Sequence, residues 1–135
     1  MESSRIICMK KPFGMELLLD LYNCDPKVVD DLSTVYDFLD GAVKVMGVSK
    51  QAPPFVFHSP SNFPDKAGIS AWVPLIESGI QCHTLTVKNF ISIDYYTCSN
   101  VDETMKDRLI EYAKMFFSPT VIESKFVLRG EHYYD

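Results

Sequence analysis

The chain has 135 residues, of which 47% are hydrophobic and 23% charged, and these values are typical of one globular domain spanning residues 1–135. Its formal net charge is −5 and no segment concentrates lysine or arginine, which argues against nucleic acid or a membrane surface as a partner. The N-terminal residues lack the apolar stretch of a secretory signal, no run approaches the roughly 18 apolar residues of a membrane span, and the cysteines show no CxxC spacing, so we expect a cytoplasmic protein with four free thiols.

The first half of the chain predicts a strand followed by a helix. Residues 14–24 form an almost continuous apolar run, which is typical of a buried strand. Asp25 and Pro26 then have the character of an N-cap and a first helical residue. Apolar side chains recur every three or four residues as far as Gly47, which predicts a single amphipathic helix. These side chains are Val29, Leu32, Tyr36, Leu39, Val43 and Met46.

The second half predicts five more strands and one more helix. The strands are expected at residues 53–59, 69–76, 80–87, 90–97 and 120–130, and the helix at residues 99–117 with Met105, Leu109, Ala113 and Phe116 on its apolar face. Two helices cannot cover both faces of such a sheet. The sequence therefore predicts an α+β fold: a two-layer sandwich with a mostly antiparallel sheet, both helices on one face, and the other face open or packed on a partner chain.

A hairpin near the middle of the chain carries polar residues of chemical interest. A two-residue turn at Lys88-Asn89 would pair His83 with Asp94 and Gly79 with Cys98. Directly opposed residues share a sheet face, so His83, Asp94 and Cys98 would border one pocket. Ser78 would begin on the opposite face and could join them where the chain bends at Gly79.

Simpler interpretations of these residues stay open. A histidine or cysteine in a strand is most often a packing residue, and a serine after a strand is most often a turn residue. A zinc site formed by His58, Cys82, His83 and Cys98 is disfavoured, because the adjacent Cys82 and His83 point to opposite faces of a strand. A hydrolase using Cys98 and His83 lacks a marked oxyanion hole. We therefore expect no bound metal.

Four reactive residues nevertheless have the mutual spacing of a known family. Ser78 follows a glutamate, and Ser70 precedes Ser78 by eight residues. His83 comes five residues after Ser78, and Cys98 comes fifteen residues after His83. The first strand ends in "DLYNCD". In these features residues 13–130 resemble the small prokaryotic S-adenosylmethionine decarboxylases, the pyruvoyl-dependent enzymes of polyamine biosynthesis.

The resemblance implies that the chain is a self-cleaving proenzyme. The Ser78 hydroxyl would attack the Glu77 carbonyl and convert the peptide bond into an ester. Elimination would then cut the protein into chains 1–77 and 78–135. Hydrolysis of the dehydroalanine left at residue 78 would give the cofactor, a pyruvoyl group, with loss of ammonia.

The resemblance also implies roles in decarboxylation. The pyruvoyl carbonyl derived from Ser78 would form a Schiff base with the substrate amine and serve as the electron sink for loss of CO2. Cys98 would return a proton to the substrate carbon. Ser70 and His83 would assist the self-cleavage. The protein would then be a carboxy-lyase and, like the family, a homodimer of processed protomers.

Departures from the family pattern concern the substrate. Residues 85–87 are Leu-Thr-Val where the family has Trp-Pro-Glu, whose glutamate holds the ribose hydroxyls, and Gly79 replaces a histidine. Phe63 lies in a longer loop as the aromatic that would stack on adenine, and Asp94 is a second substrate-binding candidate. Three functions follow: an S-adenosylmethionine decarboxylase, an L-arginine or L-ornithine decarboxylase on the same scaffold, or an unprocessed, non-catalytic homologue acting as a binding or regulatory subunit.

Overall fold

The computed structural model describes residues 11–99 and 101–135, and within them the chain forms six strands and three helices. The strands are β1 (Gly14–Tyr22), β2 (Phe55–His58), β3 (Ile69–Leu75), β4 (Ser78–Leu85), β5 (Phe90–Thr97) and β6 (Val121–Arg129). The helices are α1 (Pro26–Val29), α2 (Leu32–Val45) and α3 (Glu103–Phe117), with a short 3-10 turn at Pro64–Lys66. None of these helices has the length and apolarity that a membrane crossing requires.

The strands join in one antiparallel sheet with the order β2-β3-β4-β5-β1-β6. Hairpins connect β3 to β4 and β4 to β5, whereas β1 inserts between β5 and β6 from the other end of the chain. Alternate residues of the central strands are buried beneath the helices, and the opposite face of the sheet carries no helix among the described residues. The predicted two-layer α+β sandwich is confirmed.

The core lies between the sheet and α2 and α3. Leu109, Ala113 and Phe117 of α3 are fully buried, and Phe38 of α2 packs against the Phe117 ring with centroids 4.8 Å apart. A fully buried leucine or phenylalanine contributes about 1.5–3 kcal/mol to folding relative to an exposed one. The prediction had placed Phe116 on this face, but Phe116 is only partly buried.

The helical segment after β1 is broken in two, so the prediction of one continuous helix was wrong. Asp25 caps α1 by accepting a hydrogen bond from the Lys27 backbone N–H at 3.0 Å, as expected. The break follows at residue 30, because Asp31 caps a second helix, α2, by accepting from the Thr34 backbone N–H at 3.2 Å. A side chain that competes for backbone donors in this way favours a helix start over a helix interior.

Candidate active site

The β3–β4 turn places strain beside the predicted cleavage site. Leu75 pairs with Ser78, which leaves Ile76 and Glu77 as a two-residue turn. Glu77 has φ of +57°, a left-handed conformation that costs a non-glycine residue roughly 1–2 kcal/mol. The peptide bond between Glu77 and Ser78 is therefore held at the exposed tip of a strained hairpin.

Ser78 opens β4 and lies at the boundary between the two faces of the sheet. It lines a cavity of about 260 Å³ on one side, together with Thr97 and Cys98. On the other side it lines a cavity of about 230 Å³ together with Glu16 and Asp94. The predicted strand began at residue 80, so this placement of Ser78 inside the strand was missed. By strand alternation Ser78 shares the core side of β4 with Ile80 and Cys82, opposite His83, as predicted.

Cys98 is brought directly to Ser78. The Cys98 backbone N–H donates a hydrogen bond to the Ser78 Oγ at 3.3 Å. This bond fixes the serine oxygen and leaves its O–H free to donate elsewhere. Cys98 is also partly accessible, whereas burial raises the pKa of the Cys24 thiol to about 11 and raises that of the fully buried Cys82 further.

Three cysteines of the described chain are free thiols, as predicted: Cys24, Cys82 and Cys98. Cys8 lies outside the described residues, so the prediction for it stays a prediction. Among the three, Cys98 alone combines partial exposure with a place in a cavity. A thiol must be accessible to react, which makes Cys98 the chemically available cysteine of this set.

Ser70 and His83 form a second pair, away from Ser78. They are direct cross-strand neighbours in β3 and β4, and both line a cavity of about 280 Å³ on the open face. His83 is five residues beyond Ser78 in one strand, a separation of about 16 Å in extended chain. Within this chain the four predicted residues therefore divide into a Ser78–Cys98 pair and a Ser70–His83 pair.

The predicted register of the β4–β5 hairpin was wrong by two residues. Four residues, 86–89, form the loop, so His83 faces Ser92 and Asp94 faces Gln81. The prediction had paired His83 with Asp94 and Gly79 with Cys98, but Gly79 faces Tyr96. Because the shift is even, His83 and Asp94 still share the open face.

Contacts outside the hairpin explain the longer loop. The Thr86 backbone N–H donates to the Ala67 carbonyl at 2.9 Å, and the Asn89 carbonyl accepts from the Cys24 N–H at 2.9 Å. Asn89 adopts φ of +51°, which asparagine tolerates better than most residues. Because of these bonds Thr86 does not pair with β5, and β4 ends two residues before the predicted turn.

Three exposed aromatics line the Ser70–His83 cavity and were not predicted as site residues: Phe55, Phe57 and Trp72. A signal was available, because Phe55 and Phe57 alternate in β2 and Trp72 is two residues from Ser70, so all share one face. A side-chain carbon added at Gly79 would meet the Trp72 Nε1 at 2.7 Å. The indole therefore lies across Gly79, in the space where a side chain at that position would extend.

The remaining predicted residues are placed as follows. Phe63 is an exposed residue immediately before the 3-10 turn and is absent from the cavities described above. Burial raises the pKa of Asp94, the carboxylates of Glu16 and Asp20 raise it further, and His83 partly offsets this. Cys82 points into the core and His83 to the open face, and the described residues contain no cluster of three His, Cys, Asp or Glu side chains able to hold a metal.

The family model for S-adenosylmethionine decarboxylase matches residues 15–130. The chain belongs to the S-adenosylmethionine decarboxylase family. The resemblance inferred from the spacing of Ser70, Ser78, His83 and Cys98 is thereby confirmed at the level of the family.

Individual members of the S-adenosylmethionine decarboxylase family match nearly the whole chain. An S-adenosylmethionine decarboxylase proenzyme from Persephonella marina is 33% identical over 122 residues, covering 90% of this chain and 86% of that protein. One from Thermoplasma volcanium is 28% identical over 123 residues, covering 91% and 88%. The crystal structure of the adenosylmethionine decarboxylase from Aquifex aeolicus superimposes with a TM-score of 0.73 at 26% identity, covering 90% of this chain and 93% of that one.

Proposed function

We propose that this protein is a pyruvoyl-dependent S-adenosylmethionine decarboxylase that cleaves itself between Glu77 and Ser78. Membership of the S-adenosylmethionine decarboxylase family supports the decarboxylase activity. The observation that carries the self-cleavage is local: the Ser78 Oγ is held by the Cys98 N–H at 3.3 Å, directly after a residue with φ of +57°. Chains 1–77 and 78–135 would remain associated, because residues 70–75 of β3 pair with residues 78–83 of β4 and β1 pairs with β5 and β6.

The proposed cleavage uses atoms of the chain and one water. The Ser78 Oγ forms a bond to the Glu77 carbonyl carbon, the C–N bond breaks, and the serine proton passes to the released nitrogen. The Ser78 Cα proton then passes to solvent and the Cβ–Oγ bond breaks, which leaves the C-terminal carboxylate of Glu77 and a dehydroalanine. Water hydrolyses the dehydroalanine, releases ammonia and completes the pyruvoyl group.

The residues around position 78 fit such a group. Cavities open on both sides of Ser78, so a cofactor there could be reached by a substrate, and Cys98 lines one of these cavities. When formed, the pyruvoyl group supplies an electron sink that protein side chains lack. The chain's own residues would then bind and orient the substrate, and the Cys98 thiol would donate a proton to the substrate carbon.

The open face suits a cationic substrate with a flat ring. The sheet face beside Ser78 carries the carboxylates of Glu16, Asp20, Asp94 and Glu123 against the cations of Lys125 and of Arg129, which pairs with Glu16 at 2.7 Å. The net negative charge attracts a sulfonium or ammonium group. Phe55 and Trp72 stack with ring centroids 5.9 Å apart and could accept a purine ring by the same type of contact. We propose these rings for adenine stacking, in place of Phe63.

We further propose that the protein acts as a homodimer in which the open faces of two copies meet. Phe55, Phe57 and Trp72 are 44%, 62% and 46% exposed on this face, and a second copy would bury them. Two of the cavities described above lie on the same face, so the partner would complete their walls. In such a dimer, Ser70 and His83 of one copy would be able to assist cleavage in the other copy. Their distance from Ser78 within one chain does not allow this.

The substitution Ser78→Ala tests the proposal. Intact mass spectrometry of the freshly purified, denatured wild-type protein should give two fragments that meet at residues 77 and 78, with a second fragment that lacks an amino terminus. Ser78→Ala should remain a single chain of full mass and retain its fold, because the substitution removes only the attacking oxygen. Wild-type cleavage in this variant would disprove the role of Ser78.

Substrate assays on the cleaved protein then decide the activity. We expect release of CO2 from S-adenosylmethionine and not from L-arginine or L-ornithine. If CO2 is released from L-arginine or L-ornithine and not from S-adenosylmethionine, the protein would be a decarboxylase of that amino acid on the same scaffold. A wild-type chain that stays at full mass for days would overturn the enzyme proposal in favour of a non-catalytic homologue.

A further inference from the structure

The hydroxyl group of Tyr95 is buried without a hydrogen-bond partner. Tyr95 is fully buried in β5, where its backbone lies between Leu17 of β1 and Ile80 of β4. Its hydroxyl oxygen has no hydrogen-bond partner within 3.5 Å in the described chain, and the Thr97 hydroxyl nearby interacts with it only weakly. A phenylalanine would fill nearly the same space without burying a polar group, so the hydroxyl opposes folding and is not explained by packing.

Tyr95 belongs to the strand whose end lies beside the Ser78–Cys98 pair. Tyr95 and Thr97 point to the same side of β5, and Thr97 and Cys98 line the cavity of about 260 Å³ that Ser78 shares. Burial is the main cause that raises the pKa of Tyr95. A negative charge on Cys98 raises it further, and the Thr97 hydroxyl partly opposes both. Tyr95 is buried on the same side of β5 as Thr97, which is followed directly by Cys98 in the cavity wall, and a neutral Tyr95 hydroxyl there would stabilise a negative Cys98.

The groups around this cavity indicate that Tyr95 can stabilise a negative charge on Cys98. Among the described residues that line it, Cys98 is the only titratable one. Glu77 precedes Ser78 in the exposed turn, and Glu16 and Asp94 face Ser78 from the open side of the sheet. Arg129 is paired with Glu16 at 2.7 Å and offsets its charge, whereas Glu77 and Asp94 would disfavour a thiolate. On the core side, Tyr95 supplies a hydroxyl that can donate to the sulfur.

We propose that Tyr95 is a positioning residue for Cys98, whose hydroxyl donates a hydrogen bond to the sulfur once the thiol has given up its proton. The inference rests on the proposed function, in which the Cys98 S–H proton passes to the substrate carbon and leaves a thiolate. Tyr95 keeps its own proton throughout and transfers none. Water entering the cavity returns a proton to the sulfur before the next turnover.

The test is the pH dependence of Cys98 alkylation in Tyr95→Phe. The folded protein is treated with iodoacetamide over a range of pH, and the modified cysteine is identified by peptide mass spectrometry, which separates Cys98 from Cys8, Cys24 and Cys82. Loss of one hydrogen bond to the thiolate should shift the midpoint upward by about one pH unit. A midpoint equal to that of the wild type would overturn the proposal.

Tyr112→Phe is the matched control. The Tyr112 hydroxyl donates to the Phe38 carbonyl at 2.8 Å, so its removal should lower the thermal midpoint and leave Cys98 alkylation unchanged. Tyr95→Phe should show the reverse: an equal or higher thermal midpoint with a shifted alkylation profile. Destabilisation by Tyr95→Phe without that shift would indicate a structural role and contradict the proposal.

Alkylation requires neither chain cleavage nor CO2 release. A protein that stays at full mass but shows the shifted midpoint would leave the Tyr95–Cys98 coupling standing while the proposed function fails. A protein that cleaves itself and releases CO2 but shows no shift in the alkylation midpoint would support the proposed function and contradict the Tyr95–Cys98 coupling.

Discussion

At the scale of single residues, Glu77 joins a strained backbone to the proposed cleavage site. Its φ of +57° is imposed by the two-residue turn between β3 and β4. Cleavage after Glu77 frees that dihedral angle, so the strain favours the cleaved state. Strain of this kind lowers the stability of the intact chain and can lower the barrier to the cleavage that relieves it.

We predict that Glu77→Gly slows cleavage and stabilises the uncleaved chain. Glycine adopts positive φ without a steric penalty, and its greater flexibility when unfolded offsets part of the gain, so the net stabilisation should be about 1 kcal/mol. Urea unfolding of Glu77→Gly/Ser78→Ala against Ser78→Ala measures it without interference from cleavage. In the Ser78 background, a time course of intact masses should show a cleavage rate lowered by up to about tenfold.

Asn89→Gly is the control for Glu77→Gly. Asn89 also has positive φ, at +51°, but lies in the β4–β5 loop at the far end of β4 from Ser78. It should change stability slightly and leave the cleavage rate unchanged. Equal cleavage rates in Glu77→Gly and the wild type would show that the strain has no part in processing.

At the scale of elements, the register of β4, β5 and β1 sets the electrostatic environment of Asp94. Asp94 faces Gln81 on one side and Leu18 on the other, so no basic residue stands directly opposite it in the sheet. Glu16 and Asp20 flank Leu18 on the same face of β1. Burial and these two carboxylates raise the pKa of Asp94 above its ordinary value of 3.8, and His83 lowers it only in part.

A raised carboxyl pKa makes stability fall as pH rises. Between 3.8 and the higher pKa of the folded state, the folded chain binds more protons than the unfolded chain, so the free energy of unfolding decreases through that window and stays lower above it. Asp94→Asn should therefore have a higher thermal midpoint than the wild type at pH 7, with the difference shrinking toward pH 3.8. Thermal scans at several pH values measure this, and a lower midpoint at pH 7 would contradict the assigned environment.

At the scale of the whole molecule, the two-layer architecture leaves one sheet face without a helix among the described residues. The exposed aromatics of β2 and β3 lie on that face, beside the cavities of the candidate site. A monomer would have to keep these rings in water. Burial against a second copy removes that cost and encloses the cavities in one step.

Phe57→Glu should dissociate the proposed homodimer. Phe57 is 62% exposed on the open face, and a carboxylate there would be buried unpaired against the partner. Sedimentation velocity should give a dimer for the wild type and a monomer for Phe57→Glu. Met115→Glu, at a residue that is 79% exposed on α3, should remain dimeric. A monomeric wild type would remove the dimer from the proposed function.

Much of the architecture was predictable from local patterns. Apolar periodicity located the six strands and α3, and Asp25, Pro26 and Gly47 marked helix ends because capping is a local interaction. The break before α2 was not predicted, since Asp30 and Asp31 do not interrupt the apolar spacing. The family was predicted from four residues, because their separations along the chain do not depend on how the strands pair.

The sequence by itself determined the two layers of this protein, its family and the residues worth testing, because side-chain periodicity and spacing are properties of the chain alone. Only the tertiary structure decided how those residues meet. The hairpin register depends on the hydrogen bonds that Thr86 N–H donates to Ala67 and Cys24 N–H donates to Asn89, which join distant segments. The same packing puts the Cys98 N–H on Ser78, separates His83 from both, and leaves the Tyr95 hydroxyl without a partner, since these relations arise only when the strands assemble.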